Sequence, residues 1–381
     1  MPIQQAAQSS PRNCAERWSQ LGASIVLLAL ALHVAGARAD DAAPSMFSLS
    51  GFGTLGVVRS SDKEADFAPN AYQPKGPGFS RRWSATPDSK LGAQVTANFS
   101  DKLSATVQVV SQYQYDETFT PYVEWANIKY QITPDFSVRA GRIALPTLMY
   151  SDSVNVGYAL PFVRLPIEVS GQLPVTHSDG VDTSYRFRVG EVTNTVQAFA
   201  GNYDAKVPSP YTEFNIRKLR GIVDTIEYGD LTLRASYQKL HYSFLPVNVN
   251  AFQQIMALGA SYDPGPWFVS AERVRAPDSN LGLFYGWYAV SGVRADKFTP
   301  YLGYARTYMT NVGSLGFPPF INQDTATAGL RWDFRRNTSL KVQFDHTQRH
   351  GGWNVYFLNQ QPAFKADGAV NLFSLAVDFV F

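Results

Sequence analysis

The alternation of apolar and polar side chains constrains this chain more than any other feature, and it repeats from residue 47 to residue 381. Its clearest unit spans residues 91–115, where two alternating stretches flank a short polar turn at residues 100–102. A side-chain period of two gives each strand one apolar and one polar face, so each strand separates two different environments. The stretches are roughly ten residues long, whereas strands of soluble sandwiches have about five or six. The pattern therefore favours membrane-spanning strands.

The lengths of the connections between these stretches predict the topology. Short turns are predicted at residues 100–102, 133–135, 190–191, 229–230, 263–266, 295–297 and 335–337. Longer loops are predicted at residues 60–89, 117–121, 144–179, 202–218, 244–251, 276–283, 308–324 and 350–367. These connections join sixteen antiparallel strands, and one miscounted hairpin would give fourteen or eighteen. Short connections at one end and long extracellular ones at the other are typical of outer-membrane barrels.

The chain ends in another alternating stretch, which contains Phe373, Phe379 and the terminal Phe381. Pairing of this stretch with the first one, residues 47–59, would close the sheet. Closure removes the unpaired strand edges whose backbone groups lipid could not satisfy. The sequence therefore predicts an all-β fold, a closed transmembrane antiparallel β-barrel of about sixteen strands, with long extracellular loops.

The first 39 residues predict a Sec-type signal peptide. Arg12 and Arg17 precede an apolar run at residues 21–34, and Ala37 and Ala39 supply the small side chains that a signal peptidase reads. An uncleaved membrane helix is the alternative, but the run is short for a bilayer core of ~30 Å. Cleavage before residue 40 would leave residues 40–381 as the barrel.

Composition and motifs exclude several other classes of protein. The predicted mature chain carries 30 Lys and Arg against 30 Asp and Glu residues, which argues against a nucleic-acid partner. The only cysteine, Cys14, lies in the predicted signal, and the histidines lack metal-ligand spacing, so no metal or other cofactor is expected. Residues 51–56 match a dinucleotide fingerprint but lie inside a strand. No Gly-x-Ser-x-Gly motif occurs, which argues against a serine hydrolase and for a chain that is not an enzyme.

Several segments carry a resemblance to a known family: residues 138–142, 300–306, 340–345 and the phenylalanine-ended strand 371–381. In their order and spacing the chain resembles the Gram-negative outer-membrane porin superfamily over nearly the whole predicted mature length. The acidic motif Pro-Glu-Phe-Gly-Gly-Asp of enterobacterial porins does not occur in it. The resemblance implies an outer-membrane location and a third loop that folds into the barrel. It also implies that Phe379 and Phe381 form a recognition signal for the barrel-assembly machinery.

The function implied by the resemblance is a water-filled channel for passive diffusion of small hydrophilic solutes and ions. The partners are then outer-membrane lipid and lipopolysaccharide, the assembly machinery, the solutes themselves and, in a homotrimer, further copies of the chain. Two other classes stay open: a substrate-selective channel for a sugar, a carboxylate or a phosphate, and a non-conducting structural or adhesive barrel.

The predicted third loop, residues 144–179, is the segment most relevant to a pore. At roughly 36 residues it is too long for an ordinary hairpin connection, and it is rich in apolar side chains and proline. We expect it to fold inward and narrow the barrel; an extracellular cap is the alternative. Its charged candidates for the constriction are Asp152, Arg164 and Glu168, and Asp179 lies at its end.

The strands on either side of this loop supply arginines that would face the loop's acidic residues. The alternation places Arg139, Arg186 and Arg188 in the lumen, whereas Arg142 joins them only if the chain bends at Gly141. An acidic loop opposite a basic wall would orient polar solutes. Alternatively, the arginines only fix the loop through ion pairs. The other inward charges nearly cancel, so the sequence predicts no preference between anions and cations.

Overall fold

The computed structural model describes residues 45–172, 175–246, 249–310, 312–316, 321–351 and 355–381. The predicted signal peptide and its cleavage site lie outside these ranges. Met46–Val380 form one compact unit. Within the described ranges, no helix has the length and apolar character needed to cross a bilayer.

Sixteen long strands make up this unit. They are β1 (Phe47–Ser60), β2 (Lys90–Asn98), β3 (Leu103–Gln112), β4 (Tyr122–Thr133), β5 (Phe136–Ala144), β6 (His177–Val189), β7 (Val192–Lys206), β8 (Glu213–Tyr228), β9 (Leu231–Leu245), β10 (Val249–Tyr262), β11 (Trp267–Asp278), β12 (Gly282–Val293), β13 (Phe298–Thr310), β14 (Asn322–Arg335), β15 (Thr338–His350) and β16 (Asp367–Val380). Two-residue strands at Asp66–Phe67 and Phe357–Leu358 pair with each other between the long loops.

Each long strand pairs antiparallel with the next along the chain, and the last strand pairs with the first. In the closing pair, Leu55 lies opposite Val377 and Arg59 lies opposite Phe373. The predicted sixteen-stranded closed barrel is therefore confirmed. Closure pairs the backbone groups of both terminal strands, which explains how the sheet tolerates lipid along its whole circumference.

The two faces of the barrel are inverted relative to a soluble protein. Large apolar side chains are exposed on the outside, among them Leu55, Ile128, Val181, Leu258 and Leu302. Polar and charged side chains are buried inside, among them Gln108, Asp182, Gln238, Gln323, Lys341 and Ser374. An outer surface of this kind is typical of a barrel embedded in lipid.

One connection differs clearly from its prediction. The loop predicted at residues 202–218 spans only residues 207–212, because β7 continues to Lys206 and β8 already begins at Glu213. The pairing of β8 shifts register between Ile216 and Leu219, where Lys218 has a positive φ of 54°. This β-bulge reverses the alternation of apolar and polar side chains. The end of β7 and the start of β8 therefore have the sequence pattern of a loop.

Candidate functional site

The third loop, residues 145–176, joins β5 to β6 and carries a one-turn helix, α1 (Ile167–Ser170). Its hydrogen bonds and closest approaches reach β9 to β16, β1 and the first residue of β2. In a closed ring of sixteen strands, β13 and β14 lie across the barrel from β5 and β6. The loop therefore crosses the interior and lies along the far side. We call the inward faces of β9–β16 and β1 the covered wall, and those of β2–β6 the open wall.

Arg164 is the strongest attachment of the loop to the covered wall. Its guanidinium forms an ion pair with Asp345 of β15 at 2.9 Å and another with Asp88, at the end of the first long loop, at 2.7 Å. It also donates a hydrogen bond to Ser374 of β16. Burial lowers the pKa of Arg164, but the opposing effects of its acidic neighbours, of which those of Asp88 are the largest, raise it overall. Arg164 thus joins two loops and two strands and is only 10% exposed.

Glu168 of α1 forms the second attachment. Its carboxylate accepts hydrogen bonds from Gln323 at 2.8 Å and from Thr325 at 2.6 Å, both on β14, and the residue is 1% exposed. Burial raises the pKa of Glu168, and the two hydrogen bonds oppose this rise only in part. Contrary to the sequence interpretation, Glu168 does not face the wall arginines, because it points to the opposite wall.

The backbone of the loop approaches the covered wall too closely for side chains at some positions. A Cβ at Gly286 of β12 would collide with the carbonyl oxygen of Glu168. Lys341 of β15 donates to the carbonyl oxygens of Gly157 at 2.7 Å and Phe162 at 3.1 Å. These contacts use backbone groups, so they depend on the path of the loop more than on its side chains.

Near Met149 the loop contacts β9 and β11. The Met149 amide donates to Glu272 of β11 at 2.7 Å, and Arg234 of β9 donates to the Met149 carbonyl oxygen at 3.3 Å. Asp152 lies 3.6 Å from Arg234, yet its side chain is 68% exposed. It also lies within electrostatic range of Arg139 on the open wall. Asp152 is therefore the predicted loop carboxylate that remains in contact with the lumen.

The open wall holds the predicted arginines in the expected phase. Arg139 of β5 lies opposite Asp182 of β6 and donates hydrogen bonds to its carboxylate. Arg186 and Arg188 follow farther along β6 and are exposed. Lys129 of β4, which lies opposite Arg139, is exposed as well. This half of the lumen thus presents cations to water, and one of them is neutralised by a neighbour.

The expected bend that would bring Arg142 into the lumen does not occur. Gly141 has a positive φ of 121°, but the pairing of β5 with β4 and β6 continues through it without a shift. Arg142 consequently keeps the phase of the outward residues, and it forms a 2.8 Å ion pair with Asp179. Both side chains belong to the outer face of the barrel, so neither belongs to the constriction candidates.

A cavity of about 360 Å³ lies where the loops meet the ends of β3, β4, β6 and β7. Its lining includes Tyr72, Tyr122 and Tyr203, with Glu124 and His177 between them. The Tyr203 hydroxyl donates to that of Tyr72 at 2.9 Å, and His177 Nδ1 lies 3.3 Å from the Glu124 carboxylate. We call it the tyrosine vestibule.

The predicted assembly residues lie at the end of the last strand. Phe379 lies in β16 opposite Gly53 and packs on that glycine, while Phe381 follows the end of the strand. In the part of the chain that the structure describes, no group of His, Cys, Asp or Glu could hold a metal ion.

Sequence reasoning missed Asp88, which lies just before β2, and Lys90, the first residue of β2. Asp88 binds Arg164, and Lys90 donates to the carbonyl oxygen of Val154 in the third loop at 3.2 Å. The alternation of β2 gives Lys90 the phase of inward Gln94, which is the one available signal. Asp88 lies in an irregular segment, where no such signal exists.

No protein-family profile matches this sequence, and no curated protein sequence matches it significantly. Solved structures do resemble it. The outer membrane channel DcaP of Acinetobacter baumannii superposes with a TM-score of 0.59 at 12% identity, over 90% of this chain and 100% of that one. The anion-selective porin from Comamonas acidovorans gives 0.56 at 13%, over 88% and 99%.

An outer membrane protein of Vibrio cholerae, OmpT in its trimer form, gives a TM-score of 0.57 at 13% identity, over 88% of this chain and 100% of that one. At such low identity these similarities establish the fold and nothing finer. Together with the closed sixteen-stranded barrel, they show that the chain has an outer-membrane porin-type fold.

Proposed function

We propose that this protein is an outer-membrane porin through which small hydrophilic solutes and ions diffuse passively. One observation carries the proposal: the third loop is bonded to the covered wall, while Lys129, Arg186 and Arg188 of the open wall stay exposed in the inward phase. A barrel filled on one side only can keep a water path on the other. We place the constriction between Asp152 and the open-wall residues Arg139, Arg186 and Arg188.

Purified protein in planar bilayers tests this proposal. We expect discrete conductance steps that increase in proportion to salt concentration, as ions in a water-filled pore require. A correctly folded barrel, identified by heat-modifiable gel migration, that gives no conductance would favour a structural or adhesive role instead.

A substrate-selective channel is the second candidate, and the tyrosine vestibule favours it. Aromatic rings beside a carboxylate and a histidine suit a solute that has both apolar faces and polar groups. Solute flux into liposomes distinguishes the two functions. Diffusion rises linearly with solute concentration, whereas a binding site gives saturable flux that Tyr72→Ala changes.

We further infer that lipopolysaccharide contacts the outer face of β8–β13. Arg220 of β8 lies beside Lys239 of β9 in the strand register. Arg273 of β11 and Arg306 of β13 lie on either side of Trp287 of β12. All of these side chains have the outward phase. Phosphate groups at the outer interface would complement these cations. Replacing Arg273 and Arg306 by glutamine should lower the lipopolysaccharide that copurifies with the barrel; unchanged copurification would contradict this contact.

Export, assembly and oligomeric state complete the proposal. We propose that residues 1–39 are a Sec-type signal, that the strand ending at Phe381 is read by the assembly machinery, and that three copies associate in the outer membrane. Deleting Phe381 should lower folded protein in the outer membrane without blocking secretion. Crosslinking in native membranes should give trimers, and monomers alone would contradict the proposed trimer.

A further inference from the structure

The third loop determines which charges the lumen presents to a solute. On the covered wall, Glu272, Asp345 and Asp378 are 5%, 4% and 1% exposed. Each is engaged by the loop or by a neighbouring cation: Glu272 by the Met149 amide, Asp345 by Arg164, and Asp378 by Lys341 at 2.9 Å. Arg164 and Lys341 offset the charges of Asp345 and Asp378, and burial keeps all three carboxylates from direct contact with ions in the pore.

The loop itself adds little negative charge to the pore. Glu168 is buried against β14, and Asp179 faces outward with Arg142. Asp152 is the predicted loop carboxylate that stays exposed to the lumen, and Arg234 lies 3.6 Å from it and offsets its charge.

The open wall, by contrast, keeps cations in water. Lys129, Arg186 and Arg188 are exposed in the inward phase. Glu227 of β8 is exposed in the inward phase, and Thr193 separates it from Arg188; Asp135 and Glu191 are exposed in the turns that follow β4 and β6. The Arg139–Asp182 pair is neutral as a unit. The inward positive and negative charges nearly cancel when they are counted along the sequence. The charges that stay exposed where a solute passes are therefore mainly positive.

We infer that the pore selects anions, and that its solutes are small inorganic anions and carboxylates. This inference rests on the proposed diffusion function. An ion in the narrow part of the pore passes within a few ångströms of Lys129, Arg186 and Arg188, inside the ~8 Å over which physiological salt screens a charge. The low-dielectric barrel wall concentrates their field in the lumen, which raises the local concentration of anions.

The test is the reversal potential of single channels in a potassium chloride gradient. We expect chloride to be more permeant than potassium in the unmodified protein. Combining Lys129→Gln, Arg186→Gln and Arg188→Gln should move the permeability ratio toward cations, whereas Arg186→Lys with Arg188→Lys should keep it. Arg336→Gln, which removes one charge from the turn between β14 and β15, should shift the ratio far less.

The outcomes separate this inference from the proposed function. Absence of any conductance contradicts the diffusion function itself. Conductance with a preference for potassium overturns the anion inference and leaves diffusion intact. An unchanged permeability ratio in the triple glutamine variant also overturns it, because the named cations would then not set the field of the pore.

Discussion

The covered wall and the open wall have the same inward alternation of polar side chains, but they differ in whether their charged residues are buried against the third loop or exposed. On the covered wall, charged residues are buried and bonded to the third loop, as Asp345 is to Arg164. On the open wall, Arg186 and Lys129 remain exposed to the lumen. The difference shows that the alternation along each strand determines which residues face inward. The path of the third loop determines which of these residues can contact solute. Substitutions on either side of this division test it.

The largest effect is expected for Arg164→Ala on the covered wall. It leaves Asp88 and Asp345 as buried carboxylates without their shared cation, and breaking a buried pair costs about 3–5 kcal/mol. The temperature at which the barrel loses its compact migration on gels should fall strongly. A loss no greater than that of Arg142→Ala would show that Arg164 does not anchor the loop.

A smaller effect is expected where the loop backbone touches the wall. In Gly286→Ala the new Cβ collides with the carbonyl oxygen of Glu168, and overpacking of this kind costs about 1–3 kcal/mol. Gly303→Ala in the adjacent strand is the matched control, since its Cβ would have its nearest neighbour at 3.5 Å. Equal unfolding temperatures for the two variants would contradict the close approach of α1 to β12.

Glu168 should make the attachment of the loop depend on pH. Its pKa is raised by burial, so the folded protein holds the proton more tightly than the unfolded chain does. The stabilisation is present at low pH and is lost as pH rises through the raised pKa. Glu168→Gln keeps the side-chain shape without the charge. The unfolding temperature of this variant, relative to that of the unmodified protein, should increase with pH. A difference that stays constant with pH would contradict the raised pKa of Glu168.

The smallest effect is expected for Arg142→Ala. The Arg142–Asp179 pair lies on the outer face with side chains 32% and 56% exposed, and exposed ion pairs contribute about 0–1 kcal/mol. Channel selectivity should stay unchanged, because neither residue meets the lumen. A selectivity shift as large as that of Arg186→Gln would mean that β5 does bend at Gly141.

The sequence predicted the barrel because each strand carries its own signal in the alternation, and each turn adjoins the strands it joins. The same alternation placed Arg139, Arg186 and Arg188 inward. It could not predict the partners of Arg164 and Glu168, because these lie between 76 and 210 positions away along the chain. An irregular loop lacks the alternation that fixes the inward face of a strand. The wall on which it packs therefore depends only on its fit to residues far away in the sequence.

The most direct test of the division between the walls is the reactivity of matched cysteines. Thr106 on β3 and Thr347 on β15 face inward, and each forms a cross-strand pair, with Thr96 and Thr325 respectively. The sequence's only cysteine, Cys14, lies in the predicted signal, so the mature background should lack thiols. A small charged thiol reagent should lower the current through Thr106→Cys channels and leave Thr347→Cys channels unaffected. Equal modification of both, or modification of Thr347→Cys alone, would contradict the account.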